Sequence, residues 1–118
     1  MGLTLAVAFF KRGMSQFRRG NLSVSGWVYI VTNRPRGTLY VGVTSNLAKR
    51  AWEHRAANIE EFTSRYGLKR LVFVEAHDSI VAAIQREKNL KHLSRDWKIA
   101  LIEASNPDWK DLYEQLMW

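Results

Sequence analysis

Two short runs crowded with β-branched and aromatic side chains, Trp27-Val28-Tyr29-Ile30-Val31 and Leu39-Tyr40-Val41-Gly42-Val43, flank the turn-forming stretch Asn33-Arg34-Pro35-Arg36-Gly37. Residues of this kind suit a pleated, half-buried surface, and the Asn, Pro and Gly between them favour chain reversal. The chain is thereby directed to an antiparallel β-hairpin, and its remaining elements must cover that hairpin. If the connection spans Asn33 to Arg36, Tyr29 stands directly opposite Tyr40. A two-residue change of register leaves the two phenols diagonal on one face, whereas a one-residue slip sends them to opposite faces.

The rest of the chain supplies the cover. Ser45 or Asn46 can cap a helix running to about Ala57, and a shorter helix is expected over Ile59 to Tyr66, ended by Gly67. A third strand is expected at Arg70 to Glu75. Ser79 then caps a helix to about Leu93, and another runs from Asp96 to Ala104, stopped before Pro107. The stretch from Asp108 to Trp118 reads as a short helical turn docked by Trp109, Leu112 and Leu116, with Trp97 and Trp109 in the core. The order β-β-α-α-β-α-α predicts an α+β domain with a three-stranded, largely antiparallel sheet flanked by helices.

At 118 residues the chain suits one such core. It is expected over residues 26 to 118, behind a flexible, basic N-terminal extension at 1 to 25 in which Met14 is an alternative start. The apolar run Leu3 to Phe10 is too short to span a bilayer, and its cations, Lys11 and Arg12, follow it rather than precede it as in a signal peptide. With no cysteine, disulfides, zinc–thiolate sites and thiol nucleophiles are excluded. A cytoplasmic protein is expected.

Lys and Arg number 18 against 11 acidic residues, a net charge of +7 and a pI near 10.1. That surplus attracts polyanions, nucleic acid foremost. Its distribution suggests a phosphate-tracking collar: Arg34 and Arg36 on the turn, Lys49, Arg50 and Arg55 on the next helix, Arg65, Lys69 and Arg70 before the third strand, and Arg86, Lys88 and Lys91 beyond it. A solvated basic face is the plainer alternative. The acidic Glu103, Asp108, Asp111 and Glu114 collect toward the C-terminus, an end expected to face away from the nucleic acid.

Three positions carry candidate chemistry. Tyr29 and Tyr40 place two phenols on one patch of sheet, either as ordinary strand aromatics or as acid–base groups. On the helix from Asn46, Leu47, Ala51 and His54 share one arc with Arg50 on its flank, so a histidine occupies a place suited to an aliphatic side chain. In the following helix Ile80, Ala83, Ile84, Glu87 and Leu90 form an apolar stripe interrupted by a carboxylate. Burial of an unpaired carboxylate is costly, so Glu87 must meet either a metal ion or a cation such as Lys91 one turn on.

In their order and separation these residues resemble the GIY-YIG nuclease family. Trp27-Val28-Tyr29 and Tyr40-Val41-Gly42 match its two naming blocks, with Trp27 where the first glycine of the name would stand. The match continues through Leu47, Arg50 and His54 to Arg86-Glu87-Lys88. Thr38-Leu39-Tyr40-Val41-Gly42-Val43-Thr44 and Trp97-Lys98-Ile99-Ala100-Leu101-Ile102 look most like small stand-alone bacterial members related to the N-terminal nuclease domain of the excinuclease C subunit.

The resemblance implies an endonuclease hydrolysing phosphodiester bonds in DNA, structured, damaged or single-stranded, in repair or recombination and with little sequence choice. Tyr29 would help activate the attacking water, Tyr40 would assist by hydrogen bonding, and His54 would relay the proton. Arg50 would lower the phenol pKa or clamp the phosphate. Glu87 would hold one Mg²⁺ or Mn²⁺ ion. Contacts to nucleic acid would fall to Arg34, Arg36, Lys49, Arg55, Arg86, Lys88 and Lys91. Several family nucleases also use an asparagine beyond the glutamate; here Asn89 stands too close and Asn106 too far. A nucleic-acid-binding module without catalysis is the competing reading.

Overall fold

The computed structural model describes residues 24–55 and 65–116. The two β-rich runs form β1 (Gly26–Thr32) and β2 (Leu39–Thr44), and the third strand is β3 (Arg70–His77), two residues longer than expected. The strand order is β2-β1-β3, with both pairings antiparallel. Because β1 is central and covered on both sides, all seven of its residues are buried, and it reads as a continuous apolar run rather than an alternation.

The hairpin register pairs Tyr29 with Gly42 and Tyr40 with Val31. The connection is thus the six residues Asn33–Thr38 and not four, a two-residue shift that leaves both phenols on one face. The Asn33 side chain causes the extension: its Oδ1 accepts from the Thr38 amide at 3.0 Å, while the Gly37 amide donates to the Arg34 carbonyl at 2.8 Å.

Helix α1 (Leu47–Arg55) begins at Asn46, whose side chain accepts from the Lys49 amide at 3.1 Å and settles the choice of cap. Helices α2 (Ile80–Lys91) and α3 (Arg95–Ser105) start from Ser79 and Ser94, whose hydroxyls accept from Ala82 and Trp97 amides. A short α4 (Tyr113–Leu116) follows, anchored by Asp111, whose Oδ1 accepts from the Leu71 and Tyr113 amides at 3.1 Å each. The helix expected at Ile59 to Tyr66 lies largely outside the described residues, as do Trp118 and the first 23 residues. Gly67 does adopt the positive φ, 63°, of a helix-ending glycine.

The sheet separates two apolar clusters. On one face Trp27, Tyr29 and Val31 pack with Leu47 and Ala51 of α1 and with Leu112. On the other, Val28, Ile30 and Val41 pack with Ala83 and Leu90 of α2, Ile102 of α3 and Trp109. A bulge opposite Ile30 and Val31 turns both Val72 and Phe73 toward this second cluster. No helix among the described residues is long and apolar enough to cross a membrane.

Two packing expectations are corrected. Trp97 is 65% exposed, because it lies on the outer side of α3's first turn while Ile102 takes the core position. Ile80 and Ile84 are also exposed, at 36% and 39%, so the buried seam of α2 consists of Ala83 and Leu90. The small Ala83 lets β1 approach closely, which leaves the flanking isoleucines at the rim.

Candidate active site

The site grows from the hairpin face that α1 covers. Leu47 and Ala51 insert against the sheet, and the same arc brings His54 in, 2% exposed. Its Nε2 lies 3.0 Å from the hydroxyl of Tyr29, itself 1% exposed, with the two rings edge to face. Tyr40 stands diagonal to Tyr29, its ring centroid 5.9 Å from that of His54. Two phenols and an imidazole therefore share one patch. Tyr29 needs Gly42 opposite it: a Cβ there would lie 2.4 Å from both the phenol carbon Cζ and the hydroxyl. The glycine of the second naming block is thus the floor on which the first block's tyrosine rests.

Access to solvent differs between the phenols. Tyr29 is sealed, whereas Tyr40 is half-buried and lines an open pocket of about 320 Å³ with Leu39, Val41, Lys91 and Lys98 along the outer edge of β2. Burial thus places Tyr40, and not Tyr29, toward incoming solvent. Lys98, absent from the sequence-derived set, enters the site here; its Nζ donates to the Lys91 carbonyl at 3.5 Å.

Glu87 belongs to α2 on the opposite face, with its side chain 13% exposed and the Lys91 ammonium 2.7 Å from Oε2. The lysine one turn on is thus in contact with the carboxylate. Lys91 also lines the Tyr40 pocket, so it links the carboxylate to the hairpin edge. Arg50 is held by Glu53, Nε to Oε1 at 3.3 Å, on the same helix as His54. No group of three or more His, Asp or Glu among the described residues could hold a metal ion. A metal here would rely on Glu87 with waters and phosphate oxygens, an arrangement usual for Mg²⁺. The donor set fits that demand: one hard carboxylate, mostly buried, whose present partner is a lysine with an exposed, flexible stem.

The basic collar divides. Arg34, Lys49, Lys88 and Lys91 are exposed; the side chain of Arg55 lies outside the described set. Arg36 forms a two-point ion pair with Glu103 at 3.1 Å for each contact, and Arg95 donates to the Arg36 carbonyl. Glu103 also accepts from Trp109 Nε1 at 2.7 Å, and that bond, with Arg36 second, holds its carboxyl below the usual range. The acidic Glu103 thus joins α3 to the hairpin turn. Arg86 is likewise engaged, by Glu75 of β3, at 3.0 Å through Nε and 3.4 Å through Nη2.

Glu75, absent from the sequence-derived set, is the partner that anchors Arg86. It is fully buried, and its Oε1 also accepts from His77 Nε2 at 2.8 Å. A carboxylate closing an otherwise apolar strand carries the same signal as Glu87 in its stripe, but a strand ending at Glu75 would leave it at the rim. The two asparagines also separate. Asn89 accepts from Gln85 on the exposed side of α2. Asn106 is buried, donating to the Val72 and Lys110 carbonyls and accepting from the Lys110 amide, so its work is structural.

Residues 25–100 match the model of the GIY-YIG catalytic domain. The chain belongs to the GIY-YIG family. The matched span includes Tyr29, Tyr40 and His54. A UPF0213 protein of Natronomonas pharaonis is 36% identical over 81 residues, covering 69% of this chain and 94% of that protein. UPF0213 proteins of Desulfotalea psychrophila and Syntrophus aciditrophicus are 30% and 35% identical, covering 85% and 70% of this GIY-YIG chain and 92% and 93% of their own lengths. Those names specify no activity. No solved structure matches the chain.

Proposed function

We propose that this GIY-YIG chain is a metal-dependent endonuclease that hydrolyses phosphodiester bonds in DNA with little sequence choice. The observation that carries the reading is the 3.0 Å contact between the Tyr29 hydroxyl and His54 Nε2, buried beside Tyr40 in a GIY-YIG catalytic domain. A phenol with pKa about 10 is a poor base at neutral pH unless its own proton has somewhere to go. A neutral imidazole with Nε2 unprotonated accepts that proton along the existing contact. The attacking water enters past Tyr40, which orients it by hydrogen bonding, and the Tyr29–His54 pair completes the proton path.

Arg50 supplies positive charge on the α1 side for phosphate or developing phenolate once Glu53 yields it. Glu87 is the residue that would hold Mg²⁺ or Mn²⁺, with Lys91 displaced toward the DNA. When bound, the ion offsets charge on the leaving oxygen. The exposed Arg34, Lys49, Lys88 and Lys91 contact backbone phosphates, which positions the duplex or strand without reading its bases.

The test is nicking of supercoiled plasmid, and of branched and single-stranded oligonucleotides, in Mg²⁺, Mn²⁺ or chelator. Wild type should cut only with metal. Tyr29→Phe should lose about 10²- to 10⁴-fold in rate, the range for removing an acid–base group. Glu87→Ala should lose detectable cleavage while still binding DNA in chelator. Wild-type protein that binds DNA with steep salt dependence yet cuts no substrate in either metal would leave a binding module instead.

A further inference from the structure

Glu75, Arg86 and His77 form a polar cluster outside the proposed proton path and metal site. Glu75 is 0% exposed on the α2 side of β3, and a buried carboxylate of this kind is tolerated only with well-formed partners. Arg86 supplies a fork, Nε to Oε1 at 3.0 Å and Nη2 to Oε2 at 3.4 Å, and His77 Nε2 adds a 2.8 Å contact to Oε1. Arg86 immediately precedes Glu87. With about 100° between successive helical residues, and Ala83 and Leu90 marking the buried seam, Arg86 and Glu87 fall on opposite flanks of that seam. One flank meets β3; the other carries Glu87 and Lys91, and Lys91 reaches the Tyr40 pocket.

The height of α2 above the sheet is set separately. A Cβ on Gly26 would lie 2.8 Å from the Ala83 Cβ and 3.1 Å from the Ile80 Cα, so helix and strand already touch there. Such a contact fixes distance but leaves the helix free to roll about its axis. A side chain ends about 5–6 Å from that axis, so a roll of about 10° moves the carboxylate by about 1 Å. A misplacement of about 1 Å can cost about 100-fold in rate.

We infer that Glu75 and Arg86, with His77 securing Glu75, are positioning residues that set the roll of α2 and thereby the place of the Glu87 carboxylate at the hairpin edge. The inference rests on Glu87 as the metal-holding residue. Two variants test it. Arg86→Lys keeps the charge but replaces the fork with a single point of contact. The double variant Glu75→Met with Arg86→Leu replaces the ion pair by apolar side chains of similar size, a change buried pairs commonly survive without loss of stability.

In both, the Mn²⁺ concentration at half-maximal cleavage should rise about 10- to 100-fold, the usual effect of losing a partner behind a metal ligand. Mn²⁺ binding to the complex with uncleavable phosphorothioate DNA, followed by electron paramagnetic resonance, should weaken in parallel. DNA affinity in chelator should hold. A lowered melting temperature with an unchanged Mn²⁺ requirement would mean a purely structural cluster and would overturn the inference. Should the wild type neither cut DNA nor bind Mn²⁺, the nuclease reading itself fails. The clamp is then judged by NMR from the Glu87–Lys91 contact and the α2 amide shifts, and an unperturbed helix in the double variant overturns it as well.

Discussion

The two faces of the sheet handle their polar groups in opposite ways. Under α1 the buried groups are a phenol and an imidazole, Tyr29 and His54, in direct contact among apolar side chains. On the side of α2 and α3 three carboxylates are held in ion pairs, Glu75 with Arg86, Glu87 with Lys91 and Glu103 with Arg36. A phenol–imidazole contact can relay a proton when the phenol takes one from water as it gives its own to the imidazole. Ion pairs instead fix the relative placement of the elements that carry them. On the proposed reading, one face serves acid–base chemistry and the other serves alignment.

The comparison breaks most readily at Gly42. In Gly42→Ala the new methyl would lie 2.4 Å from the Tyr29 ring, which cannot yield without leaving His54. Cleavage per folded molecule should fall about 100-fold, with a stability loss of about 1–3 kcal/mol for overpacking. Plasmid nicking alongside urea unfolding measures both. Stability loss with undiminished cleavage would show that the Tyr29–His54 contact is not part of the chemistry.

Asn106→Ala probes the aligning face. It leaves the Val72 and Lys110 carbonyls and the Lys110 amide without their present partner, at a cost of about 1–3 kcal/mol. Activity per folded molecule should stay at the wild-type level. A selective fall in rate, with stability intact, would instead assign Asn106 the place of the downstream catalytic asparagine.

The smallest effect is expected at Glu103. Its carboxyl is held below the ordinary range, first by the Trp109 hydrogen bond and then by Arg36, so the folded state favours the ionised form. That stabilisation is present above the unfolded pKa and disappears as pH falls through the lower folded value. Thermal melts should therefore show wild type above Glu103→Gln at neutral pH, with the gap closing in acid. A gap that persists at low pH would remove the ion pair as the means by which α3 secures the hairpin.

Much of this arrangement was legible from local pattern. The β-rich runs gave β1 and β2, Ser79 marked the start of α2, and an even number of connecting residues kept Tyr29 and Tyr40 on one face whether four or six. The arc of Leu47, Ala51 and His54 predicted the histidine's burial. Less could be read where two flanks of one helix competed. The stripe through α2 suggested that Ile84 would be buried and offered two kinds of partner for Glu87, because periodicity gives a direction on the helix but not the breadth of the surface covering it. Trp97 misled for the same reason: its hydrophobicity argued for the core, while the position of α3 left that side open.

By itself the sequence determined the hairpin, the helices, the common face of the two tyrosines and the residues that mark a GIY-YIG chain, since each follows from spacing within one element or across one turn. Tertiary structure decided which phenol meets solvent, that Lys98 joins the Tyr40 pocket, and that Glu75 and Glu103 take arginines from distant elements. Those outcomes depend on where α2 and α3 lie across the sheet, set by the contact at Gly26 and Ala83 and by ion pairs between residues up to 67 positions apart. No local period encodes such distances.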